Sequence, residues 1–218
     1  PERACAQGWI SPRAMRNGII VTVLFACLIG SALLFYAGWE LTIVGLLCVL
    51  FAFLYTTGPY PLSYNGWGDV LVIVFFGFVP VGGTYYVQAL TWTSDTTVAS
   101  LICGLLIDTL LVVNNYRDRE ADARSGKRTV IVRFGEKFGR YLYLMLGVAA
   151  SLLCFWFFFE GHLFAALLPL LYLIPHVLTW RRMVQIHSGK KLNSILGETS
   201  RNMLLMGILL SIGFLIRH

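Results

Sequence analysis

"SLICGLLIDTLLVVNNYRDREADARSGKRT", residues 100–129, passes from an apolar run holding one acid into sixteen residues with three acids and five bases. With residues 97–99, the apolar part reaches the lower limit for a helix crossing about 30 Å of hydrocarbon, which takes roughly 17–25 residues. The charged part then falls at one membrane face. The same alternation recurs along the chain, so this stretch sets the reading of the rest.

Of the 218 residues, 57% are hydrophobic and 13% charged, and the mean hydropathy is +0.73. Soluble domains carry about 25% charged residues, so the composition is that of an integral membrane protein. Apolar runs at about 18–36, 41–57, 70–90, 97–113, 141–159, 163–180 and 202–216 predict seven spans. They are long and continuous, whereas barrel strands alternate over about ten residues. The expected fold is therefore an all-α polytopic helix bundle, with residues 1–218 forming one membrane-embedded domain.

The net charge of +6 is distributed by membrane side. With the N-terminus inside, 16 of the 17 Lys and Arg residues fall in inside segments, from Arg3 to Arg201, and only Arg217 falls outside. This is the positive-inside bias. It accounts for the basic charge without nucleic acid, and it leaves anionic lipid or an anionic substrate as partners. The longer loops, 58–69, 114–140 and 181–201, share that side, and a functional site is expected there. Cys5, Cys27, Cys48, Cys103 and Cys154 are scattered without metal-ligand spacing, and the N-terminal stretch lacks the apolar core of a secretory signal.

Asn114, Asp118 and Asp122 are spaced i, i+4, i+8 and form one stripe on a helix. An amide and two carboxylates offer hard oxygen ligands that suit Mg²⁺, which completes its shell with water and substrate phosphate. Arg124, Lys127 and Arg128 follow within two turns and suit a diphosphate group. A solvated, topology-setting loop would show a similar density of charge.

The full string "NNYRDREADARSGKRTVIVRFG" (114–135) resembles the second aspartate-rich motif of the UbiA superfamily of intramembrane prenyltransferases. Asn114, Asp118 and Asp122 match its N-x-x-x-D-x-x-x-D form, and Gly126, Lys127, Thr129 and Gly135 match the turn and apolar run that follow. "GPYPLSYNGWGDVLVIVFFGFVPVGGTYYVQ" (58–88) resembles the branch acting on 1,4-dihydroxy-2-naphthoate, and "PERACAQGWIS" (1–11) resembles the segment after that branch's first aspartate-rich loop.

The resemblance implies an enzyme that transfers a polyprenyl group from polyprenyl diphosphate to 1,4-dihydroxy-2-naphthoate, releasing diphosphate and CO₂, in a bacterial inner membrane with its site facing the cytoplasm. It implies Asp118 and Asp122 as catalytic residues, with Asn114 beside them as Mg²⁺ ligands. Arg124, Lys127, Arg128, Tyr60, Tyr64 and Asp69 are the expected substrate-binding residues; Tyr64 stands where related branches carry Lys. Interfacial anchoring would equally explain the tyrosines, and helix capping Asp69. Another aromatic acceptor, 4-hydroxybenzoate or homogentisate, is the alternative within the family; a multispan transporter using Asp108 is the alternative outside it. The superfamily has nine spans and two aspartate-rich motifs, so this chain is expected to lack two N-terminal helices and the first motif, which puts its activity alone in doubt.

Asp108 is the least expected residue. It lies inside the fourth span, seven residues before Asn115, and shares that residue's face rather than the Asp118 stripe. Trp92, Trp156 and Trp180 sit near span ends as interface anchors, and His176 beside Pro175 is either a cavity base or a packed kink histidine.

Overall fold

The computed structural model describes residue 5 and residues 7–216. Residues 1–4 and 6 of the N-terminal stretch, and Arg3 and Arg217 of the charge count, lie outside the described residues. Among the described residues, six helices are long and apolar enough to cross a membrane: α1 (Pro12–Phe35), α3 (Gly68–Ala89), α4 (Ser94–Arg124), α6 (Glu136–Phe159), α7 (Leu163–Ile186) and α8 (Leu192–Leu215). The predicted 41–57 span is α2 (Glu40–Thr56), apolar but shorter, and α5 (Val130–Phe134) is a single turn and a half. All regular structure among the described residues is helical, and the protein is an integral membrane helix bundle.

Residues 1–52 and 53–218 form two compact units. In the first, Ser11 caps α1 by accepting from the Ala14 N–H, and Pro12 occupies the first turn where its missing donor costs nothing. Side chains such as Leu24, Leu28 and Ile29 are 63–70% exposed. Such apolar exposure suits lipid, which solvates these groups as a core would.

The second unit is organised around α4, which packs most extensively against α3 and α6. Its upper half joins Ile102 and Leu106 to Ala150, Phe157, Tyr172 and Met206. Its lower half joins Val112, Val113 and Tyr116 to Ile131, Tyr143, Met183 and Ile195. The α3–α4 contact is backbone to backbone. A Cβ on Gly77 would sit 2.5 Å from the Ser100 carbonyl oxygen, and one on Gly104 would sit 2.9 Å from that of Ile73. Small residues permit this approach in membranes, where dispersion contacts rather than hydrophobicity hold helices together. Pro80 lies within a π-helical segment of α3, Ile73–Gly82. Proline breaks the regular ladder by lacking an N–H and crowding the preceding turn, and a widened turn is a recognised way for a membrane helix to absorb that break.

Two predictions are refined. The fourth span does not end at residue 113 but continues as helix to Arg124, so the charged motif is rigidly coupled to the span. His176 is fully buried, stacked between the Tyr143 and Tyr172 rings and held by Tyr172 Oη at 2.9 Å and the Leu144 carbonyl at 3.2 Å. That is the packed alternative. Gly147 makes it possible, because a Cβ there would enter the imidazole ring.

Candidate functional site at the end of α4

The charged end of α4 is closed by a Schellman turn. Gly126 takes the left-handed conformation (φ 76°), its N–H donates to the Ala123 carbonyl, and the Lys127 N–H donates to the Asp122 carbonyl at 2.9 Å. The reversal sends the Lys127 side chain back along the helix, where Nζ lies 3.2 Å from Asp122 Oδ2. Thr129 then caps α5 by accepting from the Val132 N–H.

The 58–69 loop docks onto this turn. The Arg128 N–H donates to the Tyr64 carbonyl at 2.7 Å, and the Arg133 guanidinium donates to the Asn65 carbonyl at 2.7 Å. Gly66, at φ 81°, lets the loop pass close to the Arg128 carbonyl. Two loops far apart in sequence therefore meet on one side. Between them is a small cleft lined by Tyr55, Ser63, Asp69, Asn115, Lys127 and Thr129, with Gly66 and Gly68 in its wall.

The expected site residues distribute unevenly around it. Asp69 and Lys127 line the cleft, and Asp122 joins it through Lys127. Asp118 lies one turn back, both oxygens held by Arg117 at 2.8 and 2.6 Å. Asn114, Arg124 and Arg128 are exposed, as are Tyr60 and Tyr64; Tyr64 engages the site through its backbone carbonyl. Asn115, not Asn114, is the amide that faces inward, 6% exposed.

Tyr55, Ser63 and Asn115 were not among the expected site residues, and Thr129 stood only as a match to the motif. Of the first three, Asn115 alone carried a usable signal, its i+7 relation to Asp108 on one helix face. Asn193, within the 181–201 stretch, accepts from Arg117 at 2.9 Å and links the motif to the start of α8. A second network braces the neighbourhood: Tyr116 Oη donates to Glu136, which also pairs with Arg119 and Arg140.

The donor set suits a hard divalent cation. Asp118 and Asp122 stand on one stripe of α4, each already drawn to a cation, Arg117 and Lys127 respectively. No cluster of three or more His, Cys, Asp or Glu side chains that could hold a metal occurs among the described residues. With Asn114, the two carboxylates could hold an ion that takes few protein ligands and shares substrate phosphate.

Comparison with known proteins places the chain among relatives. The chain is 36% identical over 99% of its length to the 1,4-dihydroxy-2-naphthoate octaprenyltransferase of Haemophilus influenzae, covering 72% of that protein. It is 38% identical over 71% of its length to the Escherichia coli protein of the same name, covering 52% of it. It is also 30% identical over 74% of its length to UbiA prenyltransferase domain-containing protein 1 of Dictyostelium discoideum, covering 48% of that chain. No solved structure matches the chain significantly. The model of the UbiA prenyltransferase family matches residues 1–211, and the chain belongs to that family.

Proposed function

We propose that this protein transfers a polyprenyl group from polyprenyl diphosphate to 1,4-dihydroxy-2-naphthoate, as part of a single prenyltransferase domain facing the cytoplasm of a bacterial inner membrane. The observation that carries the reading is the similarity along 99% of the chain to a relative named for that acceptor. The inward turn of Lys127 beside Asp122, at the membrane-facing end of an apolar helix, supports it.

Asn114, Asp118 and Asp122 would hold Mg²⁺, which when bound neutralises diphosphate oxygens and makes diphosphate a better leaving group. Lys127, Arg124 and Arg128 add positive charge where the leaving group accumulates negative charge, the most effective place for preorganised electrostatics. Arg117 can turn from Asp118 to the same diphosphate, since its guanidinium fork matches both. The allylic C–O bond breaks with its electron pair going to diphosphate. The ring attacks the allylic cation at the carbon bearing the carboxylate, and CO₂ leaves with its bonding pair returning to the ring. Asp69, Tyr60 and Tyr64 belong to the acceptor side, on the loop that closes over the α4 turn. Lipid-facing helices accommodate the polyprenyl tail, and this is why the reaction is carried out within a membrane.

The test is turnover by the full-length protein in proteoliposomes with Mg²⁺ and polyprenyl diphosphate. Prenylated naphthoquinol and CO₂ are expected from 1,4-dihydroxy-2-naphthoate, with 4-hydroxybenzoate and homogentisate left unchanged. Preferential prenylation of either of those would replace the naphthoate reading. Absence of Mg²⁺-dependent diphosphate release with any acceptor would remove the enzyme reading for this protein.

A further inference from the structure

Asp108 is 1% exposed inside the membrane-spanning part of α4, and its Oδ1 has no hydrogen-bond partner. Asp69 Oδ1, on α3, is likewise buried without a partner. The helix contact brings the two together. Gly68 packs against Leu111, and Ile73 against Gly104. Asp69 and Asp108 therefore fall between those contacts, on facing sides of the α3–α4 seam. They are within electrostatic reach of each other and of Tyr55. Asp108 also shares a helix face with Asn115, one turn and another further toward the cleft. A membrane interior supplies no water to satisfy such an oxygen, and a buried acceptor without a donor is costly. Asp69 lines the polar cleft and Asp108 lies behind it in the seam, and two unmet acceptor oxygens placed there point to a ligand that brings donors.

We propose that Asp108 binds a phenolic hydroxyl of the aromatic acceptor, which donates to Oδ1, with Asp69 completing the same subsite. This rests on the acceptor reading above and deepens it, by assigning the hydroxyl-binding residue to the α3–α4 seam rather than to the aspartate-rich motif. The ligand class is a ring bearing a free hydroxyl. An ether at that position has no proton to donate and leaves the carboxyl oxygen unmet. A hydrogen bond drawn from the hydroxyl also raises electron density in the ring, which favours attack on the allylic cation. The polyprenyl diphosphate, by contrast, offers only acceptor oxygens and an apolar tail, and it has no reason to approach a carboxyl group.

The full-length protein in lipid nanodiscs is titrated with 1,4-dihydroxy-2-naphthoate and with its dimethyl ether, and separately with polyprenyl diphosphate. Asp108→Leu and Asp108→Val, which remove the acceptor oxygen, are each expected to weaken naphthoate binding at least fivefold. Thermal midpoint and polyprenyl diphosphate affinity stay at wild-type values, and the variants no longer distinguish the ether from the parent beyond its added bulk. A loss below fivefold overturns the proposal, and so does a parallel loss of both ligands, which marks a structural residue. Should neither variant insert, wild-type protein that binds the ether as tightly as the parent overturns it by itself. If wild type ignores the naphthoate yet binds 4-hydroxybenzoate with the same dependence on Asp108, the naphthoate reading fails and the assignment of Asp108 stands. If wild type prenylates the naphthoate and the variants bind it normally, this assignment alone fails.

Discussion

Arg117 grips Asp118 through two nitrogens, at 2.8 and 2.6 Å, and its remaining nitrogen reaches Asn193 Oδ1 at 2.9 Å. One guanidinium thus ties the middle of the aspartate-rich stripe to the first turn of α8. The arrangement neutralises a carboxylate that would otherwise stand among acids at the end of α4, and it keeps that carboxylate in a geometry a metal ion could take over.

Arg117→Ala should therefore remove the guanidinium's hold on Asp118. The pair is partly solvated, with side chains 23% and 45% exposed, so its loss should change stability by only about 0–1 kcal/mol. Half-saturating Mg²⁺ should fall, because the Arg117 guanidinium no longer competes for the carboxylate, while kcat declines through the missing diphosphate contact. Turnover followed against Mg²⁺ concentration, with a thermal melt in the same detergent, checks both. A raised Mg²⁺ requirement would show that Arg117 positions Asp118 rather than competing at it.

Asp118→Ala and Asp122→Ala should each lower Mg²⁺-dependent prenyl transfer by at least about a hundredfold, the scale seen when a preorganised electrostatic group is removed from a reacting centre. Neither should unfold the protein, since both sit at a partly solvated helix end. Diphosphate release is the readout, and near-normal rates in both variants would rule out the motif as the metal-binding jaw.

The α3–α4 seam should be intolerant of side-chain volume. Gly104→Val places carbon within 2.9–3.0 Å of the Ile73 backbone and should destabilise by roughly 1–3 kcal/mol. Gly83→Ala has open space and should be neutral. Thermal unfolding of the two variants side by side separates packing from general loss of glycine, and equal melting would contradict the close approach.

Arg133→Ala should loosen the clamp between the 58–69 loop and the α4–α5 turn by removing the bond to the Asn65 carbonyl. The expected result is faster amide exchange across residues 58–69, with exchange in the membrane-embedded part of α4 unchanged, and a rise in KM for the acceptor larger than any fall in kcat. Unchanged exchange in the loop would show that the Arg128 to Tyr64 backbone bond holds it alone.

The helical character and the approximate spans were legible from the residues, because hydrocarbon leaves the backbone no partner but itself. The Asn114, Asp118 and Asp122 stripe was legible too, since helical periodicity follows directly from spacing. The 41–57 run was harder to place. It is apolar throughout, yet it folds as a 17-residue helix, and composition alone does not measure where a helix stops. The burial of His176 was legible only as one of two alternatives, because the choice depended on Gly147 opening room beneath its ring from another helix.

What the amino-acid sequence determined by itself was local and one-dimensional: which segments are helical and which acids share a stripe. The tertiary structure decided which helix faces meet. It turned Asn115 rather than Asn114 into the cleft, drew Lys127 back onto Asp122, joined Arg117 to Asn193 across 76 positions, and left Oδ1 of Asp69 and of Asp108 unmet on facing sides of one seam. The physical reason is that helix rotation and depth are set by side-chain volume at the contact, here Gly68, Gly77 and Gly104. That volume acts between segments distant in the chain, and no local period records it.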